Sequence, residues 1–339
     1  MHFTVLNPGV LTTIQDEGRF GFERFGISPA GPMDLTAFRV ANILVGNEWS
    51  ESALEATILG PTLLFERSAV IALTGADMAP QLDGKPCPMY QAVAVHAGSK
   101  LQLGAAKTGC RTYIAFSGGL DVPLVMNSRA TALQNRVGGF EGRKLAKDDQ
   151  LGIRHGASFL GDLHHRRAPV PEAPDHTIRA ILGPQDDAFT PEGLEAFLTQ
   201  PYTVGSDFDR MGYRLEGAKI THKTDGNIIS DGIAAGAIQV PTSGQPIIML
   251  AERQTVGGYT KIATVISADL PKIGQCKAGD VLHFRQVSVP EAHKLWRELD
   301  QELHALEQKI RQDAQVPADP EHPVTLGAVY DFTLTISDE

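Results

Sequence analysis

Short apolar runs punctuate the chain, with Gly, Pro or Asp close by: Ala69 to Leu73, Ala92 to Val95, Leu101 to Leu103, Tyr113 to Phe116, Ile247 to Leu250 and Val281 to Phe284. Runs of this length, rich in β-branched and aromatic residues and bounded by turn formers, predict strands, so most of the chain reads as β. Helical spacing is the exception. Asp34 stands as an N-cap before Leu35, Ala37, Phe38, Ala41, Leu44 and Val45 share one helical stripe, and Gly46 follows as a stop. A longer helix opens near Pro290, where Ala292, Leu295, Trp296, Leu299, Leu303, Leu306 and Ile310 recur at three- and four-residue steps. A third, short one follows Pro191.

Between Leu163 and Asp175 the pattern breaks. His164, His165, Arg166 and Arg167 precede a Pro- and Ala-rich stretch that reads as a linker. On either side a strand runs toward a glycine pair, Gly118-Gly119 in one half and Gly257-Gly258 in the other. The expectation is a mainly β protein of two β-barrel-like units, residues 1–165 and 176–288, with a long C-terminal helix and tail over 289–339. In that tail Tyr330, Phe332, Leu334 and Ile336 alternate with Asp331, Thr333 and Thr335, the pattern of a half-buried strand that pairs with this chain or with a partner's sheet edge.

Composition narrows the function classes. The 339 residues are 42% hydrophobic and 21% charged, an ordinary globular balance. A net charge of -10, from 40 acidic and 30 basic residues without a basic run, argues against nucleic acid and anionic membranes as partners. Cys87, Cys110 and Cys276 form no CxxC pair and read as reduced thiols. No apolar run approaches the ~20 residues of a membrane span, and the start lacks a secretory pattern, so a cytoplasmic protein is expected.

Four stretches concentrate polar groups where packing does not ask for them. Thr12 to Arg19 places Gln15, Asp16 and Arg19 at a strand end; an Asp–Arg pair stitching the turn is the plainer reading, an anion fork the other. Gly31-Pro32-Met33-Asp34 leads into a helix N-terminus, which is either a capped helix or an anion seat. Asp209 to Leu215 carries Arg210 and Arg214 around a glycine, as an anion clamp or as solvated charge. Glu252 to Tyr259 follows an apolar strand with Arg253, Gln254, Thr255, Gly257, Gly258 and Tyr259, and the stretch from Gln239 to Pro246, including Gln245, has the same character; a binding loop competes there with a long hairpin. GxxxxGK[ST], GxSxG and HExxH are absent, and the histidines show no metal-ligand spacing. Chemistry must then rest on Arg, Gln, Lys, Asp and backbone dipoles.

These blocks in this order, together with Ala41-Asn42, Leu44 to Asn47, Leu54 to Thr57, Gly60-Pro61, Gly138-Gly139, Gly142-Arg143 and Gly183 to Gln185, resemble one family over roughly residues 1 to 290. It is the biotin-dependent carboxyltransferase subdomain A/B family, also called allophanate hydrolase subunit 2, Kip antagonist or the C component of 5-oxoprolinase. The resemblance implies two cyclophilin-like β-barrel subdomains. It implies partnership with a homologous B-type component of 5-oxoprolinase (KipI-like) and a LamB/YcsF-like A-type component, in an assembly that opens a lactam with ATP. The ATP belongs to the complex, with its binding chain left open, and this chain carries no Met-Lys-Met biotin attachment site. Alternatives are a carboxyltransferase component acting on a urea-like amide and a regulatory protein that antagonises a kinase inhibitor.

Either chemistry activates a resonance-stabilised amide and develops an oxyanion, which Arg forks, Gln amides and strand-end N–H groups stabilise. Under the resemblance, Asp16, Arg253 and Gln254 are the expected catalytic residues. Gln15, Arg19, Arg210, Arg214, Gln239, Gln245, Thr255, Gly257, Gly258 and Tyr259 are the expected substrate contacts. No metal ligand is expected.

Overall fold

The computed structural model describes residues 2–154, 163–172 and 175–313; the alternating segment around Tyr330 lies outside them. In the first half, strands β1 (His2–Asn7), β2 (Leu11–Gln15), β3 (Ala53–Thr57), β4 (Thr62–Phe65), β5 (Ala69–Asp77), β6 (Gln81–Leu82), β7 (Lys85–Pro86), β8 (Ala92–Val95), β9 (Lys100–Gln102), β10 (Thr108–Phe116), β11 (Leu120–Asp121) and β12 (Gln150–Ile153) form two sheets. One runs β11-β12-β1-β4-β9-β6-β7 and the other β2-β3-β10-β5-β8. Phe3, Val5, Leu63 and Leu101 of the first share a core with Ile14, Leu54, Leu73 and Ile114 of the second, the alternation that buries one face of each strand.

The second half holds β13 (Thr177–Leu182), β14 (Tyr202–Phe208), β15 (Gly212–Gly217), β16 (Asn227–Gly232), β17 (Ala237–Val240), β18 (Ile247–Met249), β19 (Val256–Val265) and β20 (Val281–Gln286). Their order is β13-β20-β14-β15-β18-β17-β19-β16, and β13 also pairs with β19, so seven strands close into a barrel with β16 as a side branch. Closure removes the sheet edges. The strand β13 meets β20 in parallel, through Ile178 and Phe284, while its other partner is antiparallel.

Helices sit where their caps place them. Asp34 accepts from Ala37 N and opens α1 (Leu35–Leu44), and Gly46 ends it in the left-handed region. Thr190 caps α2 (Pro191–Thr199), with Pro at its first turn. The short α3 (Leu270–Gly274) has no stripe that marks it in sequence. The last helix, α4 (Val289–Asp313), leaves the barrel, where Ala292 packs with Ile266 and Val287, and reaches the first half, where Leu303 and Ile310 pack with Phe38 and Leu44 of α1. Trp49 donates to Glu307 over 3.1 Å, and its ring lies 4.4 Å from His304. None of the described helices is long and apolar enough to cross a membrane.

The stretch read as a linker is pinned down at its start. Arg166 donates to Leu44 O, Arg167 bridges to Gln91, and Ala168 N donates to Tyr90 O. It forms a strap along the first half, because its backbone donors and acceptors find partners there.

Candidate functional site

Charges in otherwise apolar strands create the central feature. Glu55 lies in the fully buried strand Ala53–Thr57, opposite Tyr113 of β10. A carboxylate there must be paired. Tyr113 Oη donates to Glu55 Oε2 over 2.7 Å and Met33 N over 2.8 Å, while Arg210 from the second half donates to Oε1. Arg210 also donates through Nε to Glu252 Oε1 at 2.6 Å and through Nη2 to Gly31 O at 2.6 Å. Glu252 Oε2 in turn accepts from Leu133 N. Arg111, 1% exposed, lies 3.7 Å from Glu55 and donates to Tyr213 Oη and to Gly274 O. Burial pulls the Arg210 guanidinium down, but the Glu55 and Glu252 charges more than offset this and hold it above its ordinary value. The two halves are therefore joined through a buried, paired ion cluster.

Gln15, Asp16 and Arg19 border that cluster with most of their polar groups engaged inside the protein, while the buried Arg19 Nη1 has no hydrogen-bond partner among the described residues. Gln15 donates to Thr13 Oγ1 and Thr131 O and accepts from Gly31 N at 3.1 Å. The Asp16 carboxylate accepts from Gly18 N, Ser128 Oγ and Arg129 N. Arg19 donates to the carbonyls of Val125, Ser128 and Ala130. Arg19 thus clamps the loop that follows β11 through Nε and Nη2, with Nη1 left over. Arg19 requires Gly138 beside it: a Cβ there would stand 2.2 Å from Ala130 O and 2.3 Å from Arg19 Nη2, at φ 72°. Gly138→Ala is expected to destabilise the fold by about 2 kcal/mol or more, read by urea denaturation; an unchanged midpoint would contradict this packing.

Other expected contacts scatter. Arg214 is exposed and pairs with Asp207, and Gln245 caps the backbone of Gly217. Neither joins the cluster: the Arg214 side chain is exposed on β15, where a charge needs no ligand, and Gln245 sits half-buried in the loop before β18. Gln254 is exposed, and Tyr259 is 41% exposed on β19 where it pairs with β16. By contrast, Arg253, Thr255, Gly257 and Gln239 meet around Ile233. Arg253 Nε donates to Ile233 O at 2.9 Å, Ile233 N donates to Thr255 O, and a Cβ on Gly257 would lie 2.7 Å from both Ile233 Cδ1 and Gln239 Nε2. Gly258 follows on β19. Among the described residues, Arg253 has no carboxylate within ion-pair distance, and buried Gln239 Nε2 has no hydrogen-bond partner. Burial lowers the Arg253 guanidinium from its ordinary value, with the charge of Glu23 opposing. A half-buried cation beside an unsatisfied amide donor is suited to bind an anion or a carbonyl oxygen.

A cavity of about 690 Å³ opens on the other side of the cluster, between α1, the strap, α3 and α4. Asp34 lines it, accepting from Ala37 N and from Gln275 Nε2 at 2.8 Å. Burial pushes this carboxyl up to about 6, helped by the charge of Glu55 and opposed by those hydrogen bonds. A carboxyl raised from 3.8 binds a proton in the folded state that the unfolded chain has released. Stability from this group is therefore complete below about pH 3.8 and falls as pH rises through 6. Asp34→Asn removes that fall, of about 2–3 kcal/mol, so the wild-type-minus-variant stability difference measured from pH 4 to 7 carries it; a flat difference would refute the shift.

Sequence reading gave no chemical role to Glu55, Arg111, Tyr113, Tyr213 or Gln275. The available signal was a charge inside an apolar strand, as in Ala-Leu-Glu-Ala-Thr. The fold also brings ligand-type atoms of His176, Cys276 and Asp280 within 4.8 Å of one another. Asp280 is held by Lys277, and burial pushes the Cys276 thiol up to about 12; both oppose metal binding.

Comparisons with known proteins converge. Residues 25–286 match the family model for carboxyltransferase domain, subdomain A and B. A protein of Escherichia coli (strain K12), named as the C component of 5-oxoprolinase, is 39% identical over 290 residues, 86% of this chain and 93% of the relative. One of the same name from Haemophilus influenzae is 40% identical over 309 residues, 90% and 99% of the two chains. The crystal structure of the K. lactis urea amidolyase superposes with a TM-score of 0.85 at 31% identity, covering 90% of this chain and 20% of that one.

Proposed function

The chain belongs to the carboxyltransferase domain family, subdomain A and B, and from that premise we propose that it is the C-type component of an ATP-dependent 5-oxoprolinase, cleaving 5-oxo-L-proline to L-glutamate with a B-type (KipI-like) and an A-type (LamB/YcsF-like) partner. The observation that carries this reading is the near end-to-end match to two relatives bearing that name, 93% and 99% of their lengths. In the urea amidolyase the same fold fills one fifth of a much longer chain.

The lactam carbonyl resists attack because amide resonance stabilises it, and opening it places negative charge on its oxygen. Arg253 and Gln239 Nε2 are two neighbouring donors with capacity to spare for that oxygen. Gly257 lets the Gln239 amide and Ile233 pack close to its backbone, with Gln254, Thr255, Gly258 and Tyr259 at the rim of the proposed site. Arg210, Arg19, Gln15 and Asp16 fix the two halves and the loop between them, and so act by position. ATP acts at the level of the assembly, and the cytoplasm is the proposed compartment.

The test is coexpression with the cognate A-type and B-type partners, measuring glutamate release from 5-oxo-L-proline and ATP. Release requiring all three chains is expected. Turnover that instead requires bicarbonate and a biotinylated carrier would replace this reading with a carboxyltransferase acting on a urea-like amide, which the shared fold also supports.

A further inference from the structure

The cavity under α4 is mostly apolar-walled, with the charged Asp77, Glu172, Lys272, Glu302 and Lys309 also on its lining and a polar end built of hydrogen-bonding groups. Ala37 and Val40 of α1, Met89 and the α4 residues Leu299, Leu303 and Leu306 supply the walls. At the polar end stand Asp34, Gln275 and Tyr90. Tyr90 Oη accepts from Gly75 N at 2.9 Å, and among the described residues its hydroxyl hydrogen has no acceptor. Each Asp34 oxygen holds one N–H donor, which leaves lone pairs free. Gln275 ties the two together: its Nε2 donates to Asp34, and a Cβ on Gly75 would lie 3.2 Å from that same nitrogen. The charge of Asp34 is felt at Tyr90, whose phenol burial has already raised.

Tyr90 also occupies a backbone region that bulky residues avoid, at φ 56°. Its N–H donates to Leu73 O and its carbonyl accepts from Ala168 N, so sheet and strap together hold it there. The strained backbone presents its ring to the cavity.

An acceptor and an unused donor at one apolar-walled end select a ligand that offers N–H and C=O along a single edge. A cis amide does this; a trans secondary amide points the two groups in opposite directions. We propose that this cavity binds a lactam or primary carboxamide carried on an apolar body, its N–H on Asp34 and its carbonyl on the Tyr90 hydroxyl. None of the residues around Arg253 takes part, so the site and the activity proposed above stand or fall separately. Asp34 N donates to Tyr113 Oη, which donates to Glu55, so an occupant lies a few hydrogen bonds from the ion cluster.

The probe is ε-caprolactam, titrated into the full-length chain by saturation-transfer NMR and by fluorescence of the two tryptophans, Trp49 beside α4 and Trp296 on it. Saturable binding is expected. ε-Caprolactone and N-methyl-ε-caprolactam, which lack the N–H, should bind about tenfold more weakly or worse, and Tyr90→Phe should weaken the lactam about tenfold. Leu303→Trp, which fills the cavity from the helix side, should abolish binding. Equal affinity for all three rings, no saturable binding of ε-caprolactam, or full binding by the Leu303→Trp protein would each overturn the proposal.

Discussion

Arg210→Met lowers the stability of this protein by about 3–5 kcal/mol at neutral pH, read by urea denaturation. The side chain is 3% exposed and spends its guanidinium on Glu55, Glu252 and the Gly31 carbonyl. Methionine fills much of the same volume, so the loss reports electrostatics more than a void. Two carboxylates then remain in a desolvated seam, with Glu55 left to Arg111 at 3.7 Å. The companion measurement replaces all three groups: Glu55→Gln and Glu252→Gln added to Arg210→Met should recover part of the loss, because no bare charge stays buried. A single variant losing under about 1 kcal/mol would mean that water reaches the seam and that the cluster does not hold the halves together.

Arg253→Ala gives the largest effect on turnover. In the three-chain assembly it should lower glutamate formation about 100- to 1,000-fold, the range for removing one donor to a developing oxyanion. Folding should change little, since the side chain makes only carbonyl hydrogen bonds, to Ile233 and Leu250, and no ion pair among the described residues. Arg253→Lys retains the charge without the fork and should recover a fraction of the rate. If Arg253→Ala turns over normally while remaining folded and assembled, the oxyanion has to be held elsewhere, and the face around Ile233 loses its assigned role.

Much of the fold was legible because local rules and tertiary packing agree. The stripe from Ala292 to Ile310 became α4, Asp34 became the cap of α1, and Ala92 to Val95 is a strand with those same bounds. The short α3 has only Pro271 and a few residues to announce it, and packing of Ile273 in the barrel core decides its form. Site chemistry was less legible. Arg19, Arg210 and Arg253 look equivalent in sequence, each an arginine near a turn. Whether a guanidinium is spent on carbonyls, on buried carboxylates or on nothing charged depends on residues far along the chain: Ala130 for Arg19, and Glu55 for Arg210. Tyr90 and Gln275 gave no signal, since their roles follow from a cavity bounded by both halves and by α4.

The placement of α4 has a consequence for biosynthesis. Its partner surface on α1, including Leu35, emerges from the ribosome early, whereas the helix that faces it is translated hundreds of residues later. Throughout that interval the nascent first half carries a bare greasy stripe, a natural station for a holdase and a point where premature termination would yield sticky fragments. Ribosomes stalled at codon 289, before α4 is made, should therefore carry more chaperone than the released full-length chain.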